Sequence, residues 1–147
     1  MTSDTLKYNT FSKIATILGP SNIVSDNNHI YSERGFYNTL SEQAELLDRS
    51  ILTNDGKKLI GDSLFYDRKV GYGEAFDNIR MTDTINKNML TGDYCFYNEL
   101  TDSAFATKRA VAIDYSQGDS LFMHGDTLQL VSYNLNTDSV FRLMKAY

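Results

Sequence analysis

Few side chains in this sequence have the types and spacing that chemistry requires. The two histidines, His29 and His124, lie far apart, and the single cysteine, Cys95, sits between Tyr94 and Phe96 with no base beside it. That setting fits a small buried hydrophobe better than a nucleophile. Asp26-Asn27-Asn28-His29 has the polarity of a metal loop but lacks EF-hand spacing and its closing glutamate, so it reads as a polar turn. Gly71-Tyr72-Gly73-Glu74-Ala75-Phe76 opens like a dinucleotide fingerprint, yet it has no third glycine and no helix after it. A tight hairpin is the better reading. Four acidic residues, Glu33, Asp62, Asp93 and Asp126, recur at near-regular spacing and could hold calcium or do acid–base work. Glycoside cleavage needs two carboxyl groups facing each other across a cleft. A repeat stacks them in a row instead, so structural corners are expected. The doublets Lys57-Lys58, Arg68-Lys69 and Lys108-Arg109 fall at turns, where solvation is their ordinary use and a lipid phosphate the alternative. No catalytic residue, metal site or cofactor is expected.

The elements that carry these residues follow from composition and periodicity. The chain has 147 residues, 41% hydrophobic and 22% charged, with a formal net charge of −5, enough for one domain with a real core. The acidic balance argues against nucleic acid as a partner, because phosphate contacts need a basic face. One cysteine excludes an internal disulfide framework and a multi-cysteine zinc site. No apolar run approaches the ~20 residues of a membrane-spanning helix. Ten tyrosines and eight phenylalanines, with no tryptophan and one proline, suit pleated, half-buried surfaces. Turn signals such as Asn54-Asp55-Gly56, Asn86-Lys87-Asn88 and the segments 68–71, 98–102, 116–119 and 134–138 bracket runs of alternating character. Val111, Ile113 and Tyr115 share one face of such a run. The expected class is all-β. Thr39-Leu40-Ser41-Glu42, followed by Gln43-Ala44-Glu45-Leu46-Leu47, also resembles a capping box opening a helix, and the repeat decides against it.

That repeat is the strongest signal. Residues 30–38, 59–67, 90–98 and 123–130 align on a small residue followed by an acidic one: Ser32-Glu33, Gly61-Asp62, Gly92-Asp93 and Gly125-Asp126. The acidic positions are 29, 31 and 33 residues apart, and three copies carry Phe-Tyr-Asn/Asp at the same offset. A unit of about 30 residues exceeds one strand, which rarely passes ~10 residues. Each unit therefore holds several strands and stacks on its neighbours to close an interior. The small-acidic pairs Gly61-Asp62, Gly92-Asp93 and Gly125-Asp126 are expected to be structural corners, the glycine allowing a sharp backbone. Beyond the corner, Leu64/Tyr66, Cys95/Tyr97 and Leu128/Leu130 share one parity and Phe65 and Phe96 the other. Both faces are apolar. The interior set is read as Leu64, Tyr66, Cys95, Tyr97, Leu128 and Leu130, with Val111 and Ile113 from an intervening strand.

Gly61-Asp62-Ser63-Leu64-Phe65-Tyr66-Asp67, the run 71–79, Leu90-Thr91-Gly92-Asp93-Tyr94, the run 112–119 and His124-Gly125-Asp126-Thr127-Leu128 together resemble the OstA-like family of organic-solvent-tolerance proteins. That family is related to the LptA periplasmic bridge of lipopolysaccharide transport, and the version here is most similar to the longer OstA-like proteins of Bacteroides-type bacteria. The resemblance covers residues 14–147. It implies a β-jellyroll of two stacked antiparallel sheets enclosing an apolar channel for lipid acyl chains. It also implies a periplasmic or envelope location, no catalytic residues and no cofactor. The implied partners are lipopolysaccharide or a related lipid, and other Lpt-type envelope proteins or a second copy joined through edge strands.

The sequence reading is thus a single domain over 1–147, a piece of a longer protein, with 1–13 as an irregular lead-in. The polar start, Met1-Thr2-Ser3-Asp4, carries no signal-peptide pattern, which a piece of a longer precursor would also lack. The expected function is non-enzymatic: shielding lipopolysaccharide acyl chains in an apolar β-channel during outer-membrane assembly. The alternative is a structural β-repeat domain that associates through edge strands without binding lipid. A void between the sheets separates the two, since a scaffold fills its interior to normal packing density.

Overall fold

Alternating runs bounded by Asn, Asp and Gly form strands throughout. The computed structural model describes residues 1–25, 28–133, 136–139 and 141–147. The strands are β1 (Thr2–Ser3), β2 (Leu6–Asn9), β3 (Ile14–Ile17), β4 (Ser21–Ser25), β5 (Asn28–Ser32), β6 (Arg34–Asn38), β7 (Gln43–Asn54), β8 (Lys57–Asp67), β9 (Tyr72–Asp83), β10 (Asn88–Asn98), β11 (Ser103–Asp114), β12 (Leu121–Tyr133) and β13 (Phe141–Ala146). No helix occurs among the described residues, and the pairings are antiparallel. The segment 39–47 is a turn leading into β7, because pairing on both sides with β6 and β8 outweighs the local helix signal. Residues 1–13, expected to be irregular, supply β1 and β2, whose side chains are largely exposed. Of the sequence motifs above, Asp26, Asn27, Asn134 and Leu135 lie outside the described residues.

The long strands β7 to β12 do not run straight. Lys57 is level with Asn88 through their shared partner Asp83, so Tyr97 lies nine residues further along the sheet. A straight strand would separate those levels by roughly 30 Å. Yet Lys57 Nζ lies 3.5 Å from Tyr97 Oη. The sheet is therefore folded over on itself. One leaf contains 43–47, 63–67, 72–76, 94–98, 103–107 and 127–133, extended by β2, β3 and β6 on one side and β13 on the other. The second leaf contains 50–54, 57–61, 79–83, 88–92, 110–114 and 121–125, extended by β1, β4 and β5. Two facing leaves made from shared bent strands give the β-jellyroll architecture.

The fold line coincides with a row of register breaks. On β7, β9 and β11 two consecutive non-glycine residues adopt left-handed backbone: Asp48 and Arg49, Asp77 and Asn78, Lys108 and Arg109, with φ between 50 and 60°. Each pair bulges opposite a single acidic residue, Asp62, Asp93 or Asp126. Such a conformation costs about 1–2 kcal/mol per non-glycine residue. Along the outside of the bend the exposed charges interlock. Arg34 meets Asp48 at 2.9 Å, and Arg49 donates to Asp62 at 3.1 Å. Asn78 donates to the other Asp62 oxygen at 2.6 Å, and Arg109 grips Asp93 with bonds of 2.9 and 2.8 Å. Asn78 and Arg49 together hold the Asp62 carboxyl below its ordinary range.

Inside the bend mostly small residues face the interior, with Ile79 the larger one among them. Ser21, Ser32, Ser50, Gly61, Gly92 and Ala110 are buried there. Ser32 and Ser50 bond each other at 2.8 Å and cap the carbonyls of Arg34 and Leu47 that the register break leaves over. Gly61, Gly92 and Gly125 do not have left-handed backbone. A Cβ on Gly92 would stand 3.0 Å from the Thr107 carbonyl oxygen, and one on Gly125 3.0 Å from that of Tyr147. The small half of each small-acidic pair thus answers to lack of room, while the sharp backbone belongs to the partner strand.

Candidate functional site

Between the leaves the apolar side chains form two clusters. The larger centres on Ile17, Leu46, Leu64, Ala75, Ile79 and Cys95. The smaller packs Leu128 against Ala106, Ala110 and Ala112, with Leu90, Met123 and Met144 at its edge. Alanines fill the interior at β11. At β7 to β10 an apolar groove of about 290 Å³ remains. Its walls are Leu46, Leu52, Leu59, Leu64 and Met81, and its floor beside β9 is the bare backbone of Gly73, between Tyr66 and Tyr97.

The mouth of the groove is polar and links the two leaves. Lys57 on the second leaf lies 3.6 Å from Asp102 and 5.5 Å from the centre of the Tyr97 ring. Tyr97 Oη donates to Asp102 Oδ1 at 3.3 Å, and Ser132 Oγ donates to Asp102 Oδ2 at 2.7 Å. Tyr66 Oη donates to Glu99 Oε1 at 3.2 Å. Burial, helped by the Glu99 charge, pushes the Tyr66 phenol up to about 12. Burial also raises Tyr97, against the opposing pull of Lys57. Both phenols therefore stay neutral donors near neutral pH, and the site combines a dry slot with a hydrogen-bonding rim.

The residues singled out from the sequence divide between these regions. Leu64, Tyr66, Cys95 and Leu128 are buried on the inward face, and Tyr97 and Leu130 lie on the same face, partly buried. Leu64, Tyr66 and Tyr97 line the groove, Cys95 sits in the packed core beside it, and Leu128 belongs to the closed cluster. Burial alone pushes the Cys95 thiol up to about 12, which leaves it protonated and inert. Val111 and Ile113 lie on the outward face. They pair with Thr91 and Met89 on one side and with His124 and Phe122 on the other, while Ala110 and Ala112 point inward. The expectation that Val111 and Ile113 face inward fails because the pairing of β11 with β10 and β12 turns the other parity, Ala110 and Ala112, to the interior.

The opposite parity forms an outward aromatic chain. Phe65, Tyr72, Phe96, Phe105, Tyr94 and Phe76 follow one another with ring centres 4.9–6.1 Å apart. Such cross-strand pairs stiffen the first leaf by roughly 0.2–1 kcal/mol each. Sequence reasoning missed Lys57, Asp102 and Gly73 as groove residues. The signal for Gly73 was present, since a glycine inside a strand marks a place where something else approaches the backbone.

Comparison with known proteins gives one positive finding. Residues 1–62 match the family model described as OstA-like protein, a stretch that carries β1 to β7 and the first part of β8. No curated protein matches the chain.

Proposed function

On the OstA-like assignment that residues 1–62 support, we propose that this domain is a non-enzymatic lipid-handling module of the cell envelope. Its groove shields an acyl chain of lipopolysaccharide or a related lipid in the periplasm during outer-membrane assembly. The observation that carries the reading is the apolar groove of about 290 Å³ beside the two buried clusters. Keeping a ~12-carbon chain out of water is worth about 9 kcal/mol at ~0.8 kcal/mol per CH₂. Transfer from a membrane into a dry groove is nearly neutral, so a passive slot removes a barrier without chemistry of its own. Direction then comes from another component.

Edge pairing supplies the partner side of this reading. β13 pairs with 128–133 of β12, and among the described residues no strand pairs the outer edge of 121–125. Leu121 and Phe122 stand exposed there. That edge suits addition of a strand, whether from an Lpt-type envelope protein, a second copy or a further stretch of the same polypeptide. A domain that only associates through this edge is the second reading. Uptake of a fluorescent dodecyl-chain fatty acid, competed by lipopolysaccharide, separates the two. Saturable, competed uptake is expected; a folded protein that takes up no probe overturns the carrier reading and leaves the scaffold.

A further inference from the structure

A second repeat runs along one end of the molecule, outside the groove. The hairpin loops β2–β3, β6–β7, β8–β9 and β10–β11 each begin with Asn9, Asn38, Asp67 or Asn98. Each of these side chains accepts two backbone N–H bonds from its own loop: Phe11 and Ser12, Leu40 and Ser41, Lys69 and Val70, Leu100 and Thr101, at 2.9–3.3 Å. Each loop closes on a residue with left-handed backbone, Lys13, Glu42, Gly71 or Asp102. The loops are also tied to one another. Thr39 N–H donates to the Lys13 carbonyl, Arg68 N–H to that of Glu42 and Glu99 N–H to that of Gly71, at 2.8–3.1 Å. Lys69 Nζ reaches the Leu40 carbonyl at 2.6 Å.

This framework holds four apolar side chains out in water. Phe11 is 97% exposed, Leu40 71%, Val70 52% and Leu100 74%, at sequence intervals of 29, 30 and 30. Successive loops are two strands apart, about 9.5 Å. Rigid loops with their apolar residues fixed outward have already lost the freedom that binding would otherwise cost.

The geometry points to this end of the molecule as a membrane-contact edge, its four apolar pegs entering the interface of a phospholipid bilayer. The row is one residue wide, and polar groups separate its members: Thr10 and Ser12, Thr39 and Ser41, Glu99 and Thr101. A fluid acyl layer closes around isolated pegs, whereas a protein surface would need a matching series of pockets at the same spacing. The hydroxyls beside Phe11, Leu40 and Leu100 suit the headgroup layer. The four loops carry Lys13, Arg68 and Lys69 against Glu42, Glu99 and Asp102, so their charges cancel, and Arg68 lies 3.7 Å from Glu42. The contact is therefore apolar, and anionic lipid is not required. This inference is independent of the groove.

Co-sedimentation of the full chain with phosphatidylcholine vesicles, with and without added phosphatidylglycerol, tests it. Binding to both, little changed by salt, is expected. Leu40→Ser with Leu100→Ser should cut the bound fraction at least fivefold without moving the melting temperature, because both side chains are already in water. Ile85→Ser, a 71% exposed residue on the loop at the other end, should change nothing. Three outcomes overturn the proposal: no binding to either vesicle; binding only to the anionic vesicle and lost in salt; or a double variant that keeps vesicle binding while its oligomeric state changes, which would assign the pegs to another copy of the chain.

Discussion

Replacing Gly73 with leucine is expected to lower acyl-chain uptake about a hundredfold and leave the fold standing. Gly73 sits on the inward face of β9 between Tyr66 and Tyr97, where its missing side chain is part of the groove. A Cβ there would meet only the Phe65 carbonyl oxygen and Tyr66 Cδ2, both at 3.7 Å, which is ordinary contact distance. The backbone does not have positive φ, so no strain follows. A leucine side chain then occupies the space of about four methylenes of ligand. At ~0.8 kcal/mol each this is about 3 kcal/mol, or roughly a hundredfold in affinity. Losing a glycine inside a strand offsets any crowding by about 0.5–1 kcal/mol. Titration of the dodecyl probe, with a melting curve on the same sample, checks both halves. Unchanged uptake in a folded G73L variant would mean that the ligand lies elsewhere.

Gly35→Ala has the opposite signature, a large loss of stability from a single methyl group. Gly35 is buried on β6 between Ile17 of β3 and Leu46 of β7. Its added Cβ would run into the Glu45 carbonyl oxygen and stand 3.0 Å from Leu46 Cα. Both obstacles are backbone, so relief requires β6 to move off β7 rather than a side chain to rotate. β6 also carries β3 and β2, and Leu46 is fully buried, so the whole flank of the first leaf is affected. A cost of about 3 kcal/mol is expected, at the upper end for overpacking. For a domain of this size that lowers the melting temperature by roughly 10 °C. Gly73→Ala, with ordinary contacts, is the matched control and should move it by less than about 2 °C. Equal melting temperatures for the two variants would contradict the packing described at this seam.

The all-β class and the stacked repeat were legible because strand alternation holds within each leaf. Leu64 with Tyr66 and Cys95 with Tyr97 show it directly, although the inward parity resets at Asp62 and Asp93, before which Leu59 and Gly61, and Leu90 and Gly92, are the inward pairs. The position of the fold line was also legible, from Gly61-Asp62 and Gly92-Asp93. Its mechanism was not. Lys108 and Arg109 carry no left-handed preference of their own, and their conformation is imposed by the flanking pairs Thr107–Thr127 and Ala110–Gly125, which leave the two of them opposite Asp126 alone. Val111 and Ile113 were placed inward on their shared parity; which parity of β11 faces inward is set by its pairing with β10 and β12, a tertiary matter, and it is that of Ala110 and Ala112. Lys57 and Asp102 meet only because the sheet folds, at positions 45 residues apart with no local pattern to join them. The loop series Asn9, Asn38, Asp67 and Asn98 was visible at intervals of 29, 29 and 31, and was obscured by the more obvious repeat of small-acidic pairs.

Site-specific photo-crosslinking to lipopolysaccharide tests the central claim most directly, because adjacent residues of one strand face opposite ways. Probes belong singly at Leu59, Tyr66 and Tyr97 on the inward face, and at Ile60, Tyr94 and Phe96 on the outward face of the same strands. The groove account expects crosslinks at the first three and none at the second three. Crosslinks at Tyr94 and Phe96 with Tyr66 and Tyr97 silent would contradict it, moving the lipid to the outer aromatic chain and leaving the interior as packed core.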